Sequence, residues 1–355
     1  TFTDETPPPI DPCQEDPTLP ECQPVEPPIE PDSWNWVEVP NSAMDVVKIP
    51  AIDESQLYTD VGAFASWEMI QKAESGADCA DGSLYVTGGG HADGAHNGVL
   101  ALNVESMEWR RVMEPSPLLM NSDGNIIGYH NGDRIPGDYT CPDWNCNLGP
   151  DGQPTAQHTY DLLTSDSEYL YMMGGSAWKK GSRGHSPSAF RMPIGGSAWE
   201  PITDAMPDGT IITKPNGSAH HIGGEIYLLN GNGWFIYNID LDQWSRRSRL
   251  AGWSNLSTTE YEPVSGTFLS IGNGRAVVTS LGEFGVSWEA IEAPQRLIDG
   301  RNFGMLAYEG LSYIWDTGRN VDVYNPVTRD WSVLEPGGAN PGEDLKNGAF
   351  GRFSH

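Results

Sequence analysis

The sequence predicts an all-β fold, a β-propeller of four-stranded antiparallel blades, on three observations. First, six tryptophans each open a short strand-like phrase: Trp36-Val-Glu-Val, Trp109-Arg-Arg-Val, Trp199-Glu-Pro-Ile, Trp244-Ser-Arg-Arg, Trp288-Glu-Ala-Ile and Trp331-Ser-Val-Leu. The last four are spaced by 45, 44 and 43 residues. A period of about 40–50 residues with several short strands inside it is the signature of four-stranded blades. Second, 41 Gly and 28 Pro accompany only 19% charged residues, the composition of many strands joined by tight turns. Third, no amphipathic helical stretch stands out, and no apolar run approaches the ~18–20 residues that span a membrane. At 355 residues the length alone allows two or three domains, but a closed propeller of this size is one.

The elements follow in order. Residues 1–33 are rich in Pro, Glu and Asp with little apolar content, a composition that cannot bury a core and reads as a linker or tether. The propeller is expected over 34–355, opening at Trp34-Asn-Trp36. A first unit, about 58–113, holds Gly82-Ser-Leu-Tyr-Val-Thr-Gly-Gly-Gly90, then Gly98-Val-Leu-Ala-Leu-Asn103, then Trp109. A second, about 156–203, holds Glu168-Tyr-Leu-Tyr-Met-Met-Gly-Gly175 and Trp199. The third carries Glu225-Ile-Tyr-Leu-Leu-Asn-Gly231 and Trp244, and the fourth Gly266-Thr-Phe-Leu-Ser-Ile-Gly272 and Trp288. The fifth carries Leu311-Ser-Tyr-Ile-Trp315, Val321-Asp-Val-Tyr-Asn325 and Trp331. Each unit repeats one grammar: an apolar strand ending in Gly-rich residues, a strand ending in Asn or Asp, and a Trp opening the outer strand. Residues 114–155 break the period and read as a long loop between blades, a degenerate extra blade being the alternative. Residues 347–355 resemble the opening of a further unit. Closure would join this last strand with the one at Trp36, so six blades are expected, with seven as the second choice.

Charge and cysteines bound the partners. A net charge of −29 excludes the basic footprint that nucleic acid needs. It points first to solubility, and second to a cationic ligand or a calcium-rich surface. Of five cysteines, Cys13 and Cys22 flank a Pro-rich octet, and Cys141 and Cys146 flank Pro-Asp-Trp-Asn. Both spacings permit local disulfides and neither is a C-x-x-C metal or redox motif, which leaves Cys79 as a buried thiol. Two local pairs imply an oxidising compartment. The chain is therefore expected to be secreted, periplasmic or tethered at a bacterial cell surface, its signal peptide already removed.

With these residues in place, the blades resemble kelch motifs, as in the central domain of galactose-oxidase-type propellers. Gly88-Gly-Gly-His91-Ala-Asp93-Gly-Ala-His96-Asn97 and Asp151-Gly-Gln-Pro-Thr-Ala-Gln-His158-Thr-Tyr160 are similar to segments of secreted bacterial kelch-like propellers. The resemblance spans roughly 34–355 and is specific for fold rather than activity. Copper-oxidase chemistry would need a Cys–Tyr crosslink; Tyr129-His130 echoes one piece and the remainder of the pattern is missing.

Antiparallel order places the start of each inner strand and the loop after each second strand on one rim of the channel. His91 and His96 follow the second strand of the first blade, and Arg183 and His185 occupy the same loop in the second. His158 and Tyr160 open the inner strand of the second blade, and His220 and His221 that of the third. His130 and Arg134 lie in the insertion, while Arg301 and Asn302 take a comparable place in a later unit. This arrangement would gather most imidazoles at one mouth. His91-x-Asp93-x-x-His96 is also the candidate metal set, for a structural zinc or calcium ion, although His91 between blades has a purely structural alternative. His158 and Tyr160, two apart, share one face of a strand, where core packing of Tyr160 is the competing role.

Two functions compete. The first is a polysaccharide lyase cleaving a uronic-acid-containing polysaccharide by β-elimination. The succession His91, His158, Tyr160, Arg183, His221 is similar to the His, His, Tyr, Arg order of ulvan lyase propellers. That resemblance implies His158 as base or acid, Tyr160 as its partner, Arg183 as neutraliser of the uronate carboxylate, and His91 in support. His130, Arg134, His185, Arg301 and Asn302 would then contact the polymer. The second function is a non-catalytic kelch-type module that binds a cell-surface glycan or protein.

Overall fold

The computed structural model describes residues 34–39, 75–88, 97–114, 118–120, 126–129, 153–154, 157–177, 189–202, 217–230, 233–248, 258–272, 274–299 and 303–338. Within them the chain is an all-β propeller with five four-stranded antiparallel blades. The expected sixth blade, the arm 1–33, the terminal strand 347–355, most of 114–155, and Cys13, Cys22, Cys141 and Cys146 lie outside the described residues.

Blade one is β1 (Gly76–Ala80), β2 (Ser83–Thr87), β3 (Val99–Asn103) and β4 (Glu108–Met113), paired in that order. Two short pairs follow. β5 (Leu118–Met120) joins β6 (Ile126–Tyr129) inside the insertion, and β7 (Gln157–His158) joins β10 (Ser176–Ala177). Blade two is β8 (Leu163–Ser165), β9 (Tyr169–Met172), β11 (Ala189–Pro193) and β12 (Glu200–Ile202). Blade three is β13 (Gly217–Ile222), β14 (Glu225–Asn230), β15 (Gly233–Asn238) and β16 (Gln243–Ser248). Blade four is β17 (Thr258–Glu262), β18 (Thr267–Gly272), β19 (Arg275–Ser280) and β20 (Glu289–Ile291), followed by the short helix α1 (Gln295–Asp299). Blade five is β21 (Gly304–Tyr308), β22 (Leu311–Trp315), β23 (Val321–Tyr324) and β24 (Trp331–Leu334).

Local chemistry sets the hairpins. Between β1 and β2, Asp81 (φ 46°) and Gly82 (φ 66°) make a two-residue turn with both φ values positive, the geometry whose twist suits paired strands. Glu309 and Gly310 repeat it between β21 and β22. In blades one, three and five an Asn at the end of the third strand caps the next turn. Asn103 Oδ1 accepts from the N–H groups of Glu105 and Ser106, and Asn325 Oδ1 from those of Val327 and Thr328.

The repeated tryptophans hold the blades together. Trp199 of blade two is buried against Tyr85, Val99 and Ala101 of blade one. Trp244 of blade three packs with Tyr171 and Met173 of blade two. Trp288 of blade four lies on Trp234 of blade three, ring centroids 4.0 Å apart. Trp331 of blade five joins the core shared with blade four, its indole N–H donating to the Glu292 carbonyl at 2.7 Å. Each repeat thus closes the junction with the repeat before it. Fully burying one such side chain is worth about 2–3 kcal/mol, and aromatic contacts add to that.

Trp36 takes the same part against blade five. It packs on Trp315 at 5.1 Å and its indole N–H donates to the Arg319 carbonyl at 2.9 Å. Trp34 stacks on Tyr313 at 5.5 Å, and Asn35 bridges Gly337 in parallel. The first and last described segments therefore meet. The five inner strands β1, β8, β13, β17 and β21 stand side by side in that order, and they position the sites described next.

Candidate functional site

Two places along the channel carry chemistry. The first lies where inner strands begin. Thr159 joins blades one and two there: its Oγ1 accepts from the Gly76 N–H at 2.6 Å and donates to the Thr87 carbonyl at 2.8 Å. This brings the start of β1 and the end of β2 to the residues on either side of Thr159. His158 is 1% exposed, and its Nδ1 lies 3.0 Å from the hydroxyl of Tyr160. The two rings meet edge to face, centroids 5.4 Å apart. Tyr160 is half-buried and has φ 50°, a left-handed conformation that a bulky side chain rarely adopts. A Cβ on Gly76 would collide with the Tyr160 carbonyl oxygen, and one on Gly175 with that of His158. Glycine at both positions is what lets this turn pass so close to its neighbours.

The sequence places His158 and Tyr160 together by strand alternation. The structure brings them together differently: β7 ends at His158, and the turn at Tyr160 folds the phenol back onto the imidazole. His221 stands elsewhere. His220 and His221 do not open β13; they are its fourth and fifth residues, because the strand begins at Gly217. The His221 N–H donates to Thr164 Oγ1 at 3.1 Å, which sets it level with β8, beyond the Tyr160 turn. His91, Asp93, His96, His130, Arg134, Arg183, His185, Arg301 and Asn302 lie outside the described residues. Among the described residues no group of three His, Cys, Asp or Glu side chains is gathered to hold a metal ion.

The second place is a central cavity of about 510 Å³ bordered by all five inner strands. Asp78 of β1, Asp161 just ahead of β8, His220 and His221 of β13, and Glu260 of β17 all line it. Sequence reasoning missed the three carboxylates. One signal was available: acids are depleted in strands, and Asp78 and Glu260 stand mid-strand in Gly-Ala-Asp-Cys-Ala and Thr-Thr-Glu-Tyr-Glu. Cys79 also borders the cavity. It is a thiol outside any disulfide, half-buried rather than fully buried as the sequence suggests.

Burial governs the protonation of these groups. Asp78 is pushed up to about 6 by burial, against the Ser165 hydroxyl that donates to its Oδ2 at 2.5 Å. Burial raises Asp161 to about 8, with the Asp78 charge adding to the rise; the Ser218 hydroxyl and the Thr259 backbone oppose it. Glu260 is raised well above the ordinary carboxylate range, by burial first and then by Asp161. Burial pushes His220 down to about 4. At neutral pH the cavity therefore holds acidic protons beside a neutral imidazole. Asp161 and His220 border the cavity, yet Oδ2 of Asp161 and Nε2 of His220 are themselves enclosed and meet no hydrogen-bond partner among the described residues.

No protein-family model matches this chain, and no curated protein matches its sequence.

Proposed function

We propose that the chain is a secreted, kelch-like, glycan-active propeller: a polysaccharide lyase that cleaves a uronic-acid-containing polymer by β-elimination. One observation carries this reading, the Tyr160–His158 couple held on a strained backbone at the start of the inner strands. Tyr160 is half-buried, and the buried His158 beside its hydroxyl orients that hydroxyl. In the reaction the couple removes the proton from the carbon beside the uronate carboxylate. Electrons of that C–H bond form the new carbon–carbon double bond. The glycosidic C–O bond breaks, and the leaving oxygen takes a proton from the same couple. Arg183 neutralises the carboxylate, and His91 supports the site.

The second reading is a binding module for a cell-surface glycan or protein. It is favoured by the 1% exposure of His158 and by the hydrogen bonds through Thr159, which suit a lock between blades. One experiment separates the two. The protein is incubated with a panel of algal and plant polyuronates while ultraviolet absorbance of unsaturated uronate is followed. The lyase reading expects a rise on at least one polymer, and a loss of about 100-fold or more in kcat for Tyr160→Phe with the fold intact. No rise on any polymer by folded protein rejects the lyase and leaves the binding module, whereas full activity in Tyr160→Phe rejects the Tyr160–His158 couple as its site.

A further inference from the structure

We infer that Thr159 is the positioning residue of the His158–Tyr160 couple: its hydroxyl, taken up between two strands of blade one, holds closed the strained turn that lays the Tyr160 phenol against the imidazole. The kinetic consequence rests on the lyase reading; the geometric consequence stands without it.

The turn is an unusual one for its sequence. The Leu162 N–H donates to the Thr159 carbonyl at 2.8 Å, which closes a four-residue turn over Thr159–Leu162. Tyr160, its first central residue, has φ 50°, while φ of Asp161 is not positive. Turns of that pattern usually take glycine at the first central place, because a side chain there crowds the backbone. Tyrosine holds such a conformation only where its surroundings fix the backbone on both sides.

Both sides are fixed, each by a different blade. Ahead of Tyr160, the fully buried Thr159 accepts from the Gly76 N–H at 2.6 Å and donates to the Thr87 carbonyl at 2.8 Å. Gly76 and Thr87 are register partners on β1 and β2, so the hydroxyl stands between two residues that face each other across that pair. Glycine leaves it room there: a Cβ on Gly76 would lie 3.0 Å from Thr159 Oγ1 as well as against the Tyr160 carbonyl oxygen. Behind Tyr160, the Asp161 carbonyl accepts from the Ala219 N–H of β13 at 2.9 Å, and Asp161 bridges Ser218 in parallel. Tyr160 is the one residue between these anchors. The anchor to blade one is made by a side chain, so a substitution can remove it. Because His158 ends β7 on the other flank of Thr159, that one hydroxyl fixes the backbone shared by both members of the couple. Thr159→Val keeps the branched shape and deprives the buried Gly76 N–H and Thr87 carbonyl of this partner.

The test follows the His158 ring nitrogens by heteronuclear NMR of the full chain. Tyr160→Phe marks where the Nδ1 resonance lies once the phenol hydroxyl is gone. The expected result is that Thr159→Val moves this resonance most of the way to the Tyr160→Phe position. Thr159→Cys, whose thiol is a weaker donor, should move it part of the way, and Thr159→Ser should leave it at the parent position. Thr279→Val controls for lost stability alone: in blade four it removes a buried hydroxyl that donates to the Ser287 carbonyl at 2.7 Å, and it should leave His158 unmoved. On a polymer that the parent cleaves, Thr159→Val should lower kcat by about 10- to 100-fold with KM within about twofold, and Thr159→Ser should keep the parent kcat. An unmoved resonance in folded Thr159→Val, or in Thr159→Cys should the valine variant not fold, overturns the inference whatever the activity. It is also overturned if Thr279→Val shifts the resonance as far, or if Thr159→Ser loses as much kcat as Thr159→Val. Absence of cleavage of every polymer rejects the lyase reading and leaves the resonances to decide the role of Thr159.

Discussion

Replacing Trp36 by alanine should open the seam where the two ends of the described ring meet. Trp36 is half-buried, so truncation forfeits roughly half of the 3–5 kcal/mol that a fully buried tryptophan is worth, about 2 kcal/mol. Its tilted contact with Trp315, at 5.1 Å, adds about 1 kcal/mol. The hydrogen bond from its indole to the Arg319 carbonyl adds about 1 kcal/mol at most, since that rim is solvent-exposed. The expected cost is therefore about 3–4 kcal/mol, read from equilibrium urea unfolding at fixed pH and seen as a lower midpoint with little change in slope. Val37, next along the chain and 74% exposed, is the control: Val37→Ala should stay within about 0.5 kcal/mol of the parent. Should Trp36→Ala unfold at the parent midpoint, or Val37→Ala lose as much, the seam is not held by this indole and the reasoning fails.

Two further outcomes concern the cavity and the mouth. Asp161, raised from 3.8 to about 8, keeps its proton in the fold at pH values where the unfolded chain has lost it. Its stabilising contribution is thus complete below about pH 4 and disappears as pH rises through 8, at up to about 1.4 kcal/mol per pH unit. His220, lowered from 6.5 to about 4, acts in the opposite sense: the fold loses stability as pH falls between those values. The clean window is therefore pH 6.5 to 8, where the parent midpoint should fall with rising pH and that of Asp161→Asn should fall less; parallel curves would show that the proton on Asp161 is not linked to folding. At the mouth, Gly76→Ala should destabilise the chain by about 2 kcal/mol or more, because the new Cβ meets a backbone oxygen that cannot move aside. Thermal unfolding of Gly76→Ala beside Gly82→Ala, whose Cβ meets nothing and whose cost is confined to its positive φ, separates the clash from the backbone effect.

Much of the architecture was legible along the chain. Trp199, Trp244, Trp288 and Trp331 mark outer strands, and each does lie at a junction between blades. Asp81-Gly82 and Asn103 announce their turns because turn geometry depends on the residues within it. The meeting of His158 with Tyr160 was also legible, though through a turn rather than through strand alternation. Strand boundaries were read less well: nothing local says that β13 starts at Gly217, which places His220 and His221 deep in the strand instead of at its opening.

What the chain determined unaided is the repeat: periodic tryptophans, apolar strands and turn residues act over a few positions, so their spacing is enough to specify blades. What only the tertiary structure decided is the acidic cavity. Asp78, Asp161 and Glu260 are 83 and 99 positions apart and belong to no shared motif. They face one space because the inner strands stand side by side around it, and the same enclosure that gathers them withdraws water and raises their affinity for protons.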